Sequence, residues 1–155
     1  MNIASVKNET KKITVDCELG SFYIEYWPNR LTTRFMKNFV EAADVSENVT
    51  FLIENLVSDW ELTTNYPIVE SFSADNIKNP DDVAYVVFED KLQILPVDAC
   101  VLKYTTLNGD AIPQVKTLKI PRTKLACDDL PLEISGAISK AILDELNEKK
   151  QKPSQ

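Results

Sequence analysis

The chain has 155 residues, 17 Lys+Arg against 24 Asp+Glu, a formal charge of −7 and no histidine. Lack of histidine excludes Ser-His-Asp and Cys-His catalysis and imidazole metal ligation. A chain this long can bury a core without disulfide or metal staples, and 44% hydrophobic with 26% charged residues is a globular composition. Only three glycines are present, which argues against a Gly-rich phosphate loop.

Cys17, Cys100 and Cys127 are widely spaced and odd in number. That suits neither a secreted disulfide framework nor a zinc site, and the natural expectation is a reducing compartment. Neither a signal-type N-terminus nor an apolar run of membrane-spanning length is present, so a soluble, cytoplasmic protein is expected. The triplets Asn8-Glu9-Thr10 and Asn48-Val49-Thr50 are then accidental. Acidity is concentrated in residues 13–62 and disfavours nucleic acid and anionic membrane as partners. Lys116, Lys119, Arg122 and Lys124 read as a solvated face.

Ile13, Val15, Cys17 and Leu19 alternate, as do Phe22, Ile24 and Tyr26 after Leu19-Gly20-Ser21, which predicts a β-hairpin. Pro28 ends it and Thr32 is placed to cap a helix carrying Phe35, Met36, Phe39, Val40 and Ala43 on one stripe. After Asp44-Val45, Ser46 is a second N-cap candidate with Glu47 in the first turn. Val49, Leu52, Ile53, Leu56, Val57 and Trp60 then follow helical spacing through to the tryptophan. These two helices are expected to pack as an antiparallel pair over the hairpin.

Residues 63–82, with Pro67 and Pro80, read as a connecting loop. Val83–Phe88 is favoured as a strand by its β-branched and aromatic content, although Asn79-Pro80-Asp81-Asp82 would also start a helix. Cys100–Thr106 and Val115–Ile120 are expected as strands of a second ribbon around Asn108-Gly109, through a loop longer than two residues. Asp128 and Asp129 are N-cap candidates ahead of Leu130-Pro131, and Leu130, Ile134, Ile138, Ile142, Leu143 and Leu146 predict a final amphipathic helix. Its end carries Lys149 and Lys150, and 151–155 reads as a disordered tail. The expected architecture is α+β, one domain over 1–150: an N-terminal hairpin packed on amphipathic helices, a second ribbon in the middle and a C-terminal helix.

The acid pairs Asp81-Asp82, Glu89-Asp90 and Asp128-Asp129 lie at turns or helix starts, without EF-hand spacing, and read as caps. Asp128 opposes thiolate formation at Cys127. Ser135, Ser139 and Lys140 do not form Ser-x-x-Lys. No catalytic, cofactor or metal residues are assigned, and no enzyme is expected.

Tyr26-Trp27-Pro28 with Leu31-Thr32, then Trp60-Glu61-Leu62-Thr63, Gly109-Asp110-Ala111-Ile112-Pro113 and Leu130-Pro131-Leu132 before Ile134–Leu146, stand in an order that resembles the tail assembly chaperones of long-tailed, siphovirus-like phages and prophages. The resemblance covers about residues 13–62 and 107–150. In that family the Trp motif runs almost directly into the Gly-Pro turn, more often with Asp at the position of Glu61. Here residues 64–106 intervene and are expected to form an inserted β element. The resemblance implies a non-enzymatic chaperone in the host cell cytoplasm that coats the helical tape measure protein, helps recruit tail tube subunits and self-associates weakly. It also implies a longer product made by frameshifting near Lys149-Lys150. Phe39, Trp60, Ile138 and Ile142 are the residues expected to line a partner groove or the core. The competing readings are a small structural virion protein, such as a tail or head-completion subunit, a carboxylate-metal enzyme, and a binding module for another partner.

Overall fold

The alternation over residues 13–26 produces its hairpin, and a third strand joins it where a helix was expected. The computed structural model describes residues 1–41 and 45–151, and the side chains of these except 40–41, 45–47 and 149–151. In chain order the elements are α1 (Ile3–Lys7), β1 (Lys11–Cys17), β2 (Gly20–Tyr26), α2 (Thr33–Glu41), α3 (Val45–Leu56), β3 (Val57–Trp60), β4 (Thr63–Pro67) and β5 (Val69–Phe72). They continue with β6 (Val83–Phe88), β7 (Lys91–Pro96), β8 (Cys100–Leu102), β9 (Tyr104–Leu107), β10 (Asp110–Pro113), β11 (Val115–Lys119), α4 (Lys124–Asp128) and α5 (Leu132–Gln151). The fold is α+β, with the N-terminal hairpin packed against the long C-terminal helix and several small antiparallel sheets. Contacts divide the chain into two compact units, one of Met1–Leu62 with Pro121–Gln155, the other of Thr63–Ile120. Asp44 of the expected joint, Ala43 of the first stripe and the tail beyond 151 lie outside the described residues, as do the side chains of Val40, Ser46, Glu47, Lys149 and Lys150; α3 begins at Val45, so Ser46 stands inside the helix and not at the N-cap expected for it.

In the first unit the sheet order is β1-β2-β3, all antiparallel. Cys17 pairs with Gly20, so the turn is Glu18-Leu19 and not Leu19-Gly20-Ser21. Leu19 therefore sits at the exposed tip instead of sharing the inner face with Val15. Gly20 takes φ +138°, a conformation that side-chain-bearing residues rarely adopt. Ile24 and Tyr26 have no accessible surface.

Helix α3 stops at Leu56, and Val57–Trp60 is a strand paired with Ile24–Tyr26. This corrects the helical assignment of Val57 and Trp60. Ordinary strand residues three apart point to opposite faces. Here Tyr26 faces Val57, Glu25 faces Asp59 and Ile24 faces Trp60, which leaves Ser58 as an extra residue at a register shift. The bulge turns Val57 and Trp60 to the same inner side, so both are buried at the i,i+3 spacing that also describes a helix face. The Leu56 carbonyl accepts from the Trp27 amide at 2.8 Å, tying the helix end to the end of β2.

Thr32 caps α2 as expected, its hydroxyl accepting from the Phe35 amide at 3.1 Å. The rings of Phe35 and Phe51 stack at 5.0 Å and join α2 to α3. On α5, Ile138 and Ile142 are fully buried and Ile134, Leu143 and Leu146 half-buried. Asp128 and Asp129 do not cap this helix. They end α4, a short helix capped by Thr123 that the sequence did not announce, and Glu133 occupies the first turn of α5. The short α1, capped by Asn2, was equally unannounced.

The second unit consists of four two-stranded antiparallel sheets, β4-β11, β5-β8, β6-β7 and β9-β10. The expected loop over 63–82 is thus corrected, since it supplies two strands whose partners lie far along the chain. Val83–Phe88 is a strand, turned back by Glu89-Asp90 at φ +54° and +62°. The expected pairing of 100–106 with 115–120 does not form. Instead Leu107 pairs with Asp110 across the two-residue turn Asn108-Gly109, both at positive φ, and β11 pairs with β4. The interior holds Tyr66, Val69, Val86, Val87 and Ala99, with Tyr66 against Tyr85 and Phe72 against Phe88, each pair 6.3 Å apart.

Replacing Trp60 by alanine leaves a cavity against Ile24 and the bulge. It should cost about 3–5 kcal/mol in equilibrium denaturation, the range for buried aromatic truncations; a loss below about 1 kcal/mol would show that the ring is not part of the core.

Candidate functional site

The four residues singled out in the sequence do not form one surface. Trp60, Ile138 and Ile142 have no accessible surface and serve the interior, whereas Phe39 is half-buried on α2 beside Phe35, ring centres 6.3 Å apart. Next to Phe39 in the stripe, Met36 is exposed. Of the four, a partner could reach Phe39.

A recess of about 570 Å³ lies in the first unit. It is lined by Lys7 and Asn8 at the end of α1, Arg30, the first turn of α2 through Thr32, Arg34 and Phe35, and Phe51 and Asn55 of α3. Arg30 is held from several sides. Its Nε donates to the Lys7 carbonyl at 3.0 Å, one terminal nitrogen donates to Asn8 Oδ1 at 2.9 Å, and the guanidinium lies 3.7 Å from the centre of the Trp27 ring. The half-buried Phe51 and the buried Phe35 form an apolar wall. No lining residue among those described is acidic. No motif points to this grouping, because its cations come from three separate segments; the one signal is that Arg30 and Arg34 are two of the three cations in the acidic stretch 13–62.

A second recess, of about 300 Å³, runs between β1 and α5 and is acidic, with Asp16, Asp144, Glu145 and Glu148 beside Lys140. Lys11 pairs with Glu145 there, and hydrogen bonding to that carboxylate is the main cause raising the lysine pKa. Among the described residues no group of side chains has the arrangement of a metal site. Glu89-Asp90 forms a tight turn, and Asp81-Asp82 lies in a turn where the Asp81 amide donates to Asn79 Oδ1 at 3.1 Å. Asp128 accepts from the Thr50 hydroxyl at 3.4 Å. Ser135 is buried and bonds back to the Pro131 and Leu132 carbonyls.

Cys127, a residue of α4, is buried where that helix packs against α3, and its thiol is pushed up to about 12, first by desolvation and then by Glu54 and Asp128. Such a thiol is a poor nucleophile. No helix among the described residues is long and apolar enough to cross a membrane. Comparison with protein-family models, curated proteins and solved structures finds no match to this chain.

The buried Cys127 thiol generates a pH dependence. Between its ordinary value of 9.0 and about 12 the folded state keeps a proton that the unfolded state has released. Stability from this group is therefore complete below about pH 9 and falls above it, at roughly 1.4 kcal/mol per pH unit. Denaturation of the Cys127→Ala variant should show a shallower alkaline decline than the parent chain; equal slopes would mean that the thiol is not desolvated.

Proposed function

We propose that the chain is a non-enzymatic tail assembly chaperone of a siphovirus-like phage or prophage, which binds the tape measure protein in the host cytoplasm and helps recruit tail tube subunits. One observation carries this reading. Of the stretches that bear the resemblance, 13–62 and 107–150, residues 13–62 and 121–150 belong to a single compact unit, and the expected insertion 64–106 lies wholly in the other unit, Thr63–Ile120, together with 107–120. That is how an insertion into an existing fold behaves. Gly109–Pro113 falls in the second unit, apart from the other stretches, and does not support the reading in this way.

The accessible apolar residues of α2, Met36 and Phe39, suit the apolar stripe of a long helical partner, while Trp60, Ile138 and Ile142 maintain the body that presents them. A small structural virion protein is the second reading, favoured by the β9-β10 ribbon. All eight of its residues are exposed, among them Tyr104, Leu107 and Ile112, and such a ribbon can pair with a neighbouring subunit.

Co-expression with the tape measure protein of the same phage should keep that protein soluble and yield a co-eluting complex, weakened by Met36→Glu without a change in melting temperature. Tape measure protein that aggregates equally with and without the chain would refute the chaperone reading. Recovery of the chain in purified particles at fixed stoichiometry would establish the virion subunit instead.

A further inference from the structure

The recess at the start of α2 runs against the charge of the molecule. In a chain of net charge −7 it gathers Lys7, Arg30 and Arg34, together with Asn8, Asn38 and Asn55, and no carboxylate among its described lining residues. Within the described residues, Lys7 and Arg34 form no ion pair, and Arg30 is fixed in place by neutral acceptors and the Trp27 ring. Three cations brought together with no ion pair among the described residues repel one another and gain from a shared anion.

Two further features define the ligand. The recess opens on the first turn of α2, where the Phe35 amide is taken up by the Thr32 hydroxyl and the Met36 amide by the Thr32 carbonyl, and the Thr33 and Arg34 amides lie ahead of these bonds at the end of the helix whose dipole favours negative charge. Beside that turn stand Phe35 and Phe51, stacked 5.0 Å apart, so one wall is aromatic while the rest is cationic and amide-lined. A single carboxylate carries less charge and fewer acceptor oxygens than the cluster can engage. A phosphoryl group accepts from an arginine fork, an ammonium and helix amides together. The volume, about 570 Å³, lies in the range of small-ligand sites.

We propose that this recess binds a small phosphorylated ligand with a planar apolar body, the phosphoryl group held by Lys7, Arg30, Arg34 and the α2 N-terminus and the body set against Phe35 and Phe51. The assignment rests on the recess alone and stands or falls independently of the chaperone reading.

The test is amide NMR titration of the full chain in phosphate-free, low-salt buffer with three probes: phenyl phosphate, inorganic phosphate and benzoate. Phenyl phosphate should give saturable shifts at Asn8, Thr33 and Arg34 and bind more tightly than either other probe. Lys7→Gln and Arg34→Gln, both at exposed positions, should each weaken it by roughly tenfold or more, the loss expected for one charge-assisted contact, with the melting temperature unchanged. No saturable shift, or unaltered binding by both variants, overturns the site. Benzoate binding as well as phenyl phosphate overturns the phosphoryl assignment, and inorganic phosphate binding as well overturns the aromatic wall as part of it.

Discussion

The pairing of β3 with β2, with one extra residue at Ser58, is the constraint on which the first unit depends. It places Trp60 opposite Ile24 and Val57 opposite Tyr26, so four of the most deeply buried side chains meet across one short ladder. The ladder is fastened at both ends. The Trp27 amide donates to the Leu56 carbonyl, and at the other end the Glu61 amide donates to the Tyr23 carbonyl while the Glu61 carboxylate accepts from the Tyr23 amide at 2.7 Å. From the C-terminal segment, Arg122 Nε donates to the Val57 carbonyl at 3.0 Å and the Lys124 amide to Glu54 Oε1 at 2.6 Å. Segments more than sixty residues apart are thereby joined at the point where α3 becomes β3.

Signals that act over a few residues were legible. The period-two alternation of Ile13–Tyr26, the Thr32 cap, and the four-residue repeat of Ile134, Ile138, Ile142 and Leu146 each report local geometry, and each element formed. What failed depended on distant partners. Val57 and Trp60 keep a helical spacing because a bulge reproduces it in a strand, and the bulge exists only against β2. Thr63–Pro67 looks like loop because its polar alternation is stabilised by pairing with Val115–Lys119, some fifty residues later. Asn108-Gly109 was recognised as a turn, but its tight two-residue form sets the register and removes the wider ribbon that was expected.

The same distinction governs the sites. Trp60, Ile138 and Ile142 stood out because large apolar residues at regular spacing are conspicuous, and conspicuous periodicity is a property of interiors. The cationic recess assembles Lys7, Arg30 and Arg34 from a short N-terminal helix, a turn after a hairpin and the start of a helix, with no common motif. Only the fold brings them to one place. Function therefore has to be sought on residues that packing leaves free, namely this recess, Met36 and Phe39 on α2, and the exposed ribbon of the second unit.

Residues 1–62 and 121–155 form one compact unit and 63–120 another, and on the reading proposed above the first is a self-sufficient body. Thr63 and Lys119 are antiparallel partners, so the chain leaves for the second unit and returns from it at neighbouring positions, and neighbouring Cα atoms in such a pair lie about 5 Å apart. The most direct test is denaturation of a chain in which 63–120 is replaced by a short Gly-Ser linker, followed through the near-ultraviolet signal of its two tryptophans, Trp27 and Trp60. A single cooperative transition with the tryptophan signal retained is the predicted result. Loss of the signal with non-cooperative melting would contradict the account and make the two units parts of one inseparable core.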